Sequence, residues 1–352
     1  MQANFSSIVN FTIEQDLKPI LHPLPFYIRI PFTISISFLI IFSNILGINV
    51  LRITQQIPYI PRICLINMGI ADLTCGVFTV APSVIPTITG EWPYGTIWCQ
   101  ISGVIHSTSL TNSMYTVALV SLDRYFAIVH SLKYRQIVTL RKLKLAIIGM
   151  WFVPIISFTF PIFLESDYQY YLYQPTSYLC GCRIRYLWFL LLTAPYMPIL
   201  SCTVMTYTTL KIIRKLKEDK ALTEDLEERK SRLVKNMKAV KVIVISANAF
   251  AMAFGPFIIV TFVDFISNKS IKHPPILDFL CMWSANVNSF VNVIIFVCVY
   301  SSFRKNAKNM LIRFFTCKIC AREKLKDKLK ERENPSRFSE TIESELNSQN
   351  IK

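Results

Sequence analysis

Residues 99–125 read CQISGVIHSTSLTNSMYTVALVSLDRY, a long and almost uncharged run with a cysteine at one end and Asp123-Arg124-Tyr125 at the other. At 1.5 Å per residue a helix of this length measures about 40 Å, more than the ~30 Å hydrocarbon core of a bilayer, so it must span the core and lean. A charged pair is costly at the membrane centre. At the helix terminus, Asp123 and Arg124 reach the interface, where pairing and water make them tolerable. Such a pair can be held or released, which suits a switch. An Asp-Arg-Tyr tripeptide also arises by chance, so the rest of the chain decides the reading.

The chain has 352 residues, 52% hydrophobic and only 17% charged, with a mean hydropathy of +0.40. That is a membrane composition and excludes an ordinary soluble enzyme. The net charge of +16 raises the question of nucleic acid. The basic residues, however, sit in short loops beside apolar runs, as Arg135, Arg141, Lys142 and Lys144 do, which is the positive-inside pattern. No nucleic-acid partner is expected. Ten cysteines are too scattered for a disulfide scaffold, and Cys99, Cys180 and Cys182 are those in segments placed outside. The opening MQANFSSIVNFTIEQD has neither a basic n-region nor an apolar h-region, so the first span is expected to target the chain itself. No closed catalytic set, phosphate-cradling glycine loop or complete zinc set appears. Cys317 and Cys320 have zinc spacing but lack two further ligands nearby.

Apolar runs place helices at roughly 28–51, 63–88, 99–125, 143–164, 187–213, 236–266 and 276–299. Asn44, in the first, is a buried amide that needs a partner on another helix. Asp72, in the second, is an isolated carboxylate inside the membrane, where such groups are functional by default. Pro82 and Pro86 should kink the outer half of that helix, and Pro256 the sixth. The loop FAIVHSLKYRQIVTLRKLK carries five Lys/Arg and no acid, so it should face the cytoplasm. The N-terminus is then outside, and Asn4 and Asn10 are glycosylation acceptors, although such triplets are common by chance. Beyond the fifth span, pairs such as Asp225/Arg229 and Glu228/Arg232 would support a solvated helix, and a plain soluble linker fits equally. Phe303, Met310, Leu311 and Phe314 form one stripe, with Arg304, Lys305 and Lys308 away from it, as in a helix lying on a membrane surface. Cys317 and Cys320 follow in a juxtamembrane position suited to palmitoylation or left as free thiols. The expected organisation is an outer tail (1–27), a seven-helix bundle (28–300), a surface helix (301–315) and a cytoplasmic tail (316–352).

These landmarks resemble the rhodopsin-like (class A) G-protein-coupled receptors. The matching stretches are Ser43-Asn44-Ile45-Leu46-Gly47, LINMGIADL around Asp72, the Trp92–Gly95 loop, Cys99, Asp123-Arg124-Tyr125, Trp151, Pro161, Pro198, FAMAFGPF and NSFVNVIIF. The chain departs from the family pattern at Ser131, often proline there, and at Val293 and Phe296, where the family keeps proline and tyrosine. Tyr207 follows Pro198 by nine residues instead of eight. Val293 restores a backbone N–H and should straighten the seventh helix. TAP at 193–195, YRQIVT at 134–139 and NSF-x-N at 288–292 look like a group of vertebrate brain orphan receptors. His130–Tyr134 and the non-proline seventh helix look, over fewer segments, like melatonin receptors.

The resemblance implies an all-α membrane protein with seven spans and a short amphipathic eighth helix, located in the plasma membrane. It implies transduction of an extracellular ligand signal to a heterotrimeric G-protein by outward movement of helix six, with arrestin, receptor kinases and membrane lipid as further partners. Cys99 would pair with Cys180 or Cys182, between which spacing does not choose. Asp123, Arg124, Tyr125 and Tyr207 form the G-protein switch. Met114, Pro198, Phe250, Phe254, Pro256, Asn292 and Phe296 transmit the movement; Phe296 cannot donate a hydroxyl bond toward Tyr207 as tyrosine would. Helix six begins near Lys235, Asn236 and Lys238 without the acid that locks the arginine in some relatives, so signalling without ligand is expected.

Asp72, Ser113, Asn288, Ser289 and Asn292 would hold a sodium ion as an allosteric modulator; the alternative is a dry polar network that joins helices. His106, Leu110, Phe254, Phe257, Ile258, Thr261, Met282 and Asn286 would line the ligand crevice. His106 replaces the aspartate of biogenic-amine receptors, so an amine would lack its counter-ion; the residue is equally readable as a satisfied core polar group. The ligand is then neutral, or a peptide reaching Asp264, Lys272 and Asp278 at the rim. A seven-helix transporter or channel is the alternative reading, but no path of ionisable residues and no internal repeat is visible. A light-sensing opsin needs a lysine in helix seven, and residues 276–300 contain none.

Overall fold

The computed structural model describes residues 23–164, 170–182, 197–221, 227–267, 273–314 and 316; of 197, 198, 219–221, 227–236, 238 and 239 it describes the backbone alone. Asn4, Asn10, Lys272, Cys317, Cys320 and the Asp225/Arg229 and Glu228/Arg232 pairs lie outside the described residues or side chains.

The chain is an all-α membrane protein, and its described residues form a bundle of seven long helices with a two-stranded hairpin. In order, the spans are Phe26–Ile53; Tyr59–Cys75, continuing through Gly76–Val80 and Val84–Thr89; Gly95–Val129; Leu140–Thr159, closing in a tight turn Phe160–Leu164; Met197–Ala221; Glu227–Ile266; and Pro275–Val299. The first, second, fourth, sixth and seventh are apolar and long enough to cross a membrane by composition alone. The third is more polar because Ser, Thr, His and Asn side chains run along it inside the bundle, and of the fifth only residues from 197 on are described. The third packs against the second, fourth, fifth and sixth spans, so most of its length is shielded from lipid. A further helix covers 301–314, beginning just beyond the seventh span.

The Thr139 hydroxyl accepts from the Lys142 N–H at 3.4 Å and caps the fourth span. The second span breaks before its prolines: residues 76–80 form a single wide π-turn. Pro82 has no N–H to donate to the carbonyl four residues back, at Phe78. Gly76 permits the tight approach there, since a Cβ would lie 2.7 Å from Ile40 Cγ2. Asn44 finds its partner across the bundle, its amide donating to the Ser289 carbonyl at 3.1 Å. The seventh span runs unbroken through Val293, whose side chain lies against Gly47 of the first.

Candidate functional site

At the outer end, the strands Tyr171–Gln174 and Leu179–Cys182 pair antiparallel, with Tyr173 opposite Cys180. Cys180 forms the disulfide with Cys99, Cα atoms 5.5 Å apart, which decides between the two cysteines. Cys182 stays free, and burial pushes its thiol up to about 11. The hairpin is fastened to four spans. Gln100 donates to the Tyr171 carbonyl at 2.6 Å and accepts from its N–H at 2.9 Å. Tyr171 donates to the Phe158 carbonyl at 3.0 Å, and its ring fills the space a Cβ on Gly103 would need. Trp283 donates to the Ser177 carbonyl at 3.0 Å. Arg29 donates to the Tyr178 hydroxyl at 3.0 Å and lies over its ring. Tyr178 adopts a left-handed φ of 60° and is fully buried against Phe279 and Trp283.

Sequence reasoning overlooked Arg29, Gln100, Ser177 and Tyr178. A signal existed for the first: a guanidinium in an apolar span needs a partner.

Beneath the hairpin, His106 Nε2 meets Asn286 Oδ1 at 3.0 Å, both buried. Asn286 also accepts from the Cys75 thiol at 3.8 Å and donates to the Met282 carbonyl. Leu110 packs against the buried cluster of Ile36, Ile40, Cys75, Val80, Tyr178, Phe279 and Trp283. Phe257, Ile258 and Thr261 are half-buried on the sixth span. Thus His106 and Asn286 are brought together, and among the described residues no hydrogen bond joins the sixth-span candidates to them. At the rim, His273 lies between two spans, 2.7 Å from Asp278 and 3.5 Å from Asp264.

Midway, Asn292 donates to Asp72 at 3.2 Å, and Ser113 and Ser289 lie beside the same carboxylate. Asp72 Oδ1, Ser113 Oγ, Asn288 Oδ1, Ser289 Oγ and Asn292 Oδ1 are buried without a hydrogen-bond partner among the described residues. A buried polar atom without a partner costs about 1–3 kcal/mol, and the Ser113 and Ser289 hydroxyls are placed to offset part of that by bonding the Asp72 carboxylate. One carboxylate with neutral oxygens has the chemistry a hard cation takes, and among the described residues no cluster of His, Cys, Asp and Glu offers a transition-metal site. Nearby, Asn67 donates to Asn112 at 2.8 Å and Thr116 at 3.0 Å and accepts from Trp151 at 2.9 Å.

Below this, Met114 and Phe250 sit in the main core, and Phe250 stacks on Phe254 with centroids 5.6 Å apart. Phe296 is buried edge-on against Phe303 at 5.9 Å, joining the seventh span to the 301–314 helix. Pro256 lies inside the sixth helix, and Pro198 at the start of the described fifth.

At the inner end, Arg124 places Nη2 2.5 Å and Nε 2.9 Å from Asp123 Oδ2. Tyr134, on the short helix Tyr134–Ile137, donates to Asp123 Oδ1 at 2.7 Å. Burial, with the neighbouring Asp123 carboxylate, raises the Tyr134 phenol above its ordinary value. Tyr125 bonds His130 at 3.1 Å. Tyr207 is placed differently from the expected approach to Phe296: it is 53% exposed, beside Tyr125 and beneath Lys211. One residue turns a helical side chain by about 100°, so the nine-residue spacing from Pro198 carries Tyr207 off the inner face. Thr208 faces inward, 2.5 Å from Ser121.

A polar column within seven spans, a disulfide-fastened outer hairpin and a paired Asp-Arg at the inner end define a seven-transmembrane receptor. The chain belongs to the rhodopsin family of 7 transmembrane receptors, whose family model matches residues 43–296. Its relatives are receptors and not enzymes. It is 25% identical over 304 residues to trace amine-associated receptor 5 of Mus musculus, covering 83% of this chain and 87% of that one. It is 25% identical over 309 residues to G-protein coupled receptor 52 of Mus musculus, with 82% of each chain covered. With the human histamine H2 receptor it shares 21% identity over 336 residues, 92% of this chain and 89% of the relative.

Proposed function

We propose that this receptor carries an extracellular ligand signal to a heterotrimeric G-protein through release of Arg124 from Asp123 and outward movement of the sixth span, kinked at Pro256. The observation that carries the reading is the buried Asp123–Arg124 pair, held further by Tyr134. It has the form of a closed switch: a cation that binds within the chain at rest and is available to a partner once freed. The basic loop at this end orients it to the cytoplasm and the N-terminus outward, in the plasma membrane. Arrestin and receptor kinases belong to the same reading as partners of the inner face.

The ligand meets His106 and Asn286 under the hairpin. Two of the relatives are named for amines, yet the buried polar pair here holds no carboxylate, so a neutral ligand or a peptide reaching the His273 rim suits it better than a biogenic amine. Sodium is held at Asp72, with Ser113, Asn288, Ser289 and Asn292 supplying neutral oxygens, and it favours the resting packing. The test is a panel of second-messenger assays in cells co-expressing each class of G-protein α-subunit, wild type against Arg124→Ala at matched surface level. Wild type should exceed Arg124→Ala for at least one class; equality across all of them refutes the reading.

A further inference from the structure

The sixth and seventh spans meet at their outer ends around one imidazole that the signalling reading does not use. His273 stands two residues before Pro275, where the seventh span begins. Its Nε2 lies 2.7 Å from Oδ1 of Asp278, in the first turn of that span, and its Nδ1 lies 3.5 Å from Oδ1 of Asp264, two residues before the sixth span ends at Ile266. Among the described residues no other charged or titratable side chain pairs with the ring; Lys269 and Lys272, in the connecting segment, lie outside them. The side chains of His273, Asp264 and Asp278 are 19%, 26% and 34% exposed, so protons of the medium reach them while water screens them less than at an open surface. A neutral imidazole carries one N–H and one bare nitrogen. Whichever nitrogen holds the hydrogen here, the other turns a lone pair toward a carboxylate, and that contact is repulsive. A protonated ring donates from both nitrogens, so one cation then holds a carboxylate from each span.

We propose that His273 senses extracellular protons: its protonation clamps Asp264 to Asp278 across the sixth and seventh spans and lowers signalling. The proposal rests on the orientation and the Arg124 switch given above, which place this clamp outside and couple it to the sixth span. Pro256 lies eight residues before Asp264, about 12 Å along the helix, so a sixth span that pivots at this kink carries Asp264 relative to His273. In the structure both carboxylates flank the ring while Asp123 holds Arg124. A proton on His273 strengthens that arrangement, and by linkage the same arrangement binds the proton more tightly than one in which Asp264 has moved away. Imidazole is the side chain that changes charge between pH 5 and 8, so the clamp closes on mild acidification.

Two readouts of the full-length receptor test this at about pH 6 and about pH 7.5. The first is agonist-free second-messenger output of expressing cells, normalised to surface level; the second is the thermal unfolding midpoint of the purified receptor in detergent. Wild-type output should be at least twofold lower at the lower pH, and the wild-type midpoint should exceed that of His273→Gln by more at the lower pH than at the higher. His273→Gln and Asp264→Asn should each remove the pH dependence of output. His22→Gln, at the histidine of the outer tail, should keep it. Output that is equal at the two pH values or higher at the lower one, pH dependence that survives in His273→Gln, or its loss in His22→Gln overturns the proposal. The midpoints read the clamp without a G-protein, so a receptor that does not signal is still decided by them. A wild-type advantage over His273→Gln that is the same at both pH values overturns the clamp, whatever becomes of the signalling reading.

Discussion

Asp123→Asn should turn the receptor on without ligand. In the structure Asp123 Oδ2 accepts two bonds from Arg124, at 2.5 and 2.9 Å, the Arg124 side chain only 10% and the Asp123 side chain 3% exposed. Asparagine keeps an acceptor oxygen but loses the charge, and hydrogen bonds to charged groups contribute about 1.5–3 kcal/mol net. The active state, with Arg124 withdrawn, leaves Asp123 without its cation, and that cost also disappears in the variant. At 1.4 kcal/mol per tenfold, the active-to-resting ratio rises about 12- to 140-fold. From an active fraction on the order of 1%, the variant reaches roughly 10–60%. Tyr134→Phe is the internal comparison. It removes the bond on Oδ1 and leaves both Arg124 bonds in place, so its basal signal should change by less than that of Asp123→Asn. The assay is agonist-free second-messenger level normalised to surface expression. Equal basal levels in wild type and Asp123→Asn, or a larger rise in Tyr134→Phe, would refute the idea that this pair restrains signalling.

Asp72→Asn should abolish the dependence of basal signalling on sodium, measured against choline as replacement, because it removes the one charge among the orphaned oxygens; an unchanged sodium response sinks the ion site. Cys180→Ala should lower surface expression several-fold, since loop closure across 81 residues is lost, while Cys182→Ala should stay near wild type. Flow cytometry of unpermeabilised cells compares them, and equal losses would contradict the pairing. Enzymatic deglycosylation should shift the wild-type band and leave an Asn4→Gln/Asn10→Gln double variant unshifted; a wild type that never shifts in eukaryotic membranes removes the sequon support for an outer N-terminus.

What could be read from residues alone was what a membrane makes expensive. Asp72, Asn44 and the Asp123-Arg124 pair stand out because an amide or charge between apolar helices needs a reason, and each has a partner in the bundle. Choices that depend on the backbone path were not legible. Cys180 and Cys182 lie two apart on one strand and so point to the same face. The register that puts Tyr173 opposite Cys180, closed by a turn with Tyr178 at positive φ, brings the first of them to Cys99. In the second span the prolines announced a kink, and the structure has there a widened turn at Gly76–Val80, with the Ala81 N–H bonding the Gly76 carbonyl at 2.8 Å. Tyr207 shows how small an offset suffices. A match displaced by one residue keeps the residue type and rotates the side chain about 100°, which here separates an inner face from an exposed one. The hydroxyl that the fifth span turns inward is Thr208, and it already bonds Ser121. A hydroxyl introduced at Phe296 would therefore meet the Phe303 ring first, and any gain in activity from Phe296→Tyr should persist in Phe296→Tyr/Tyr207→Phe.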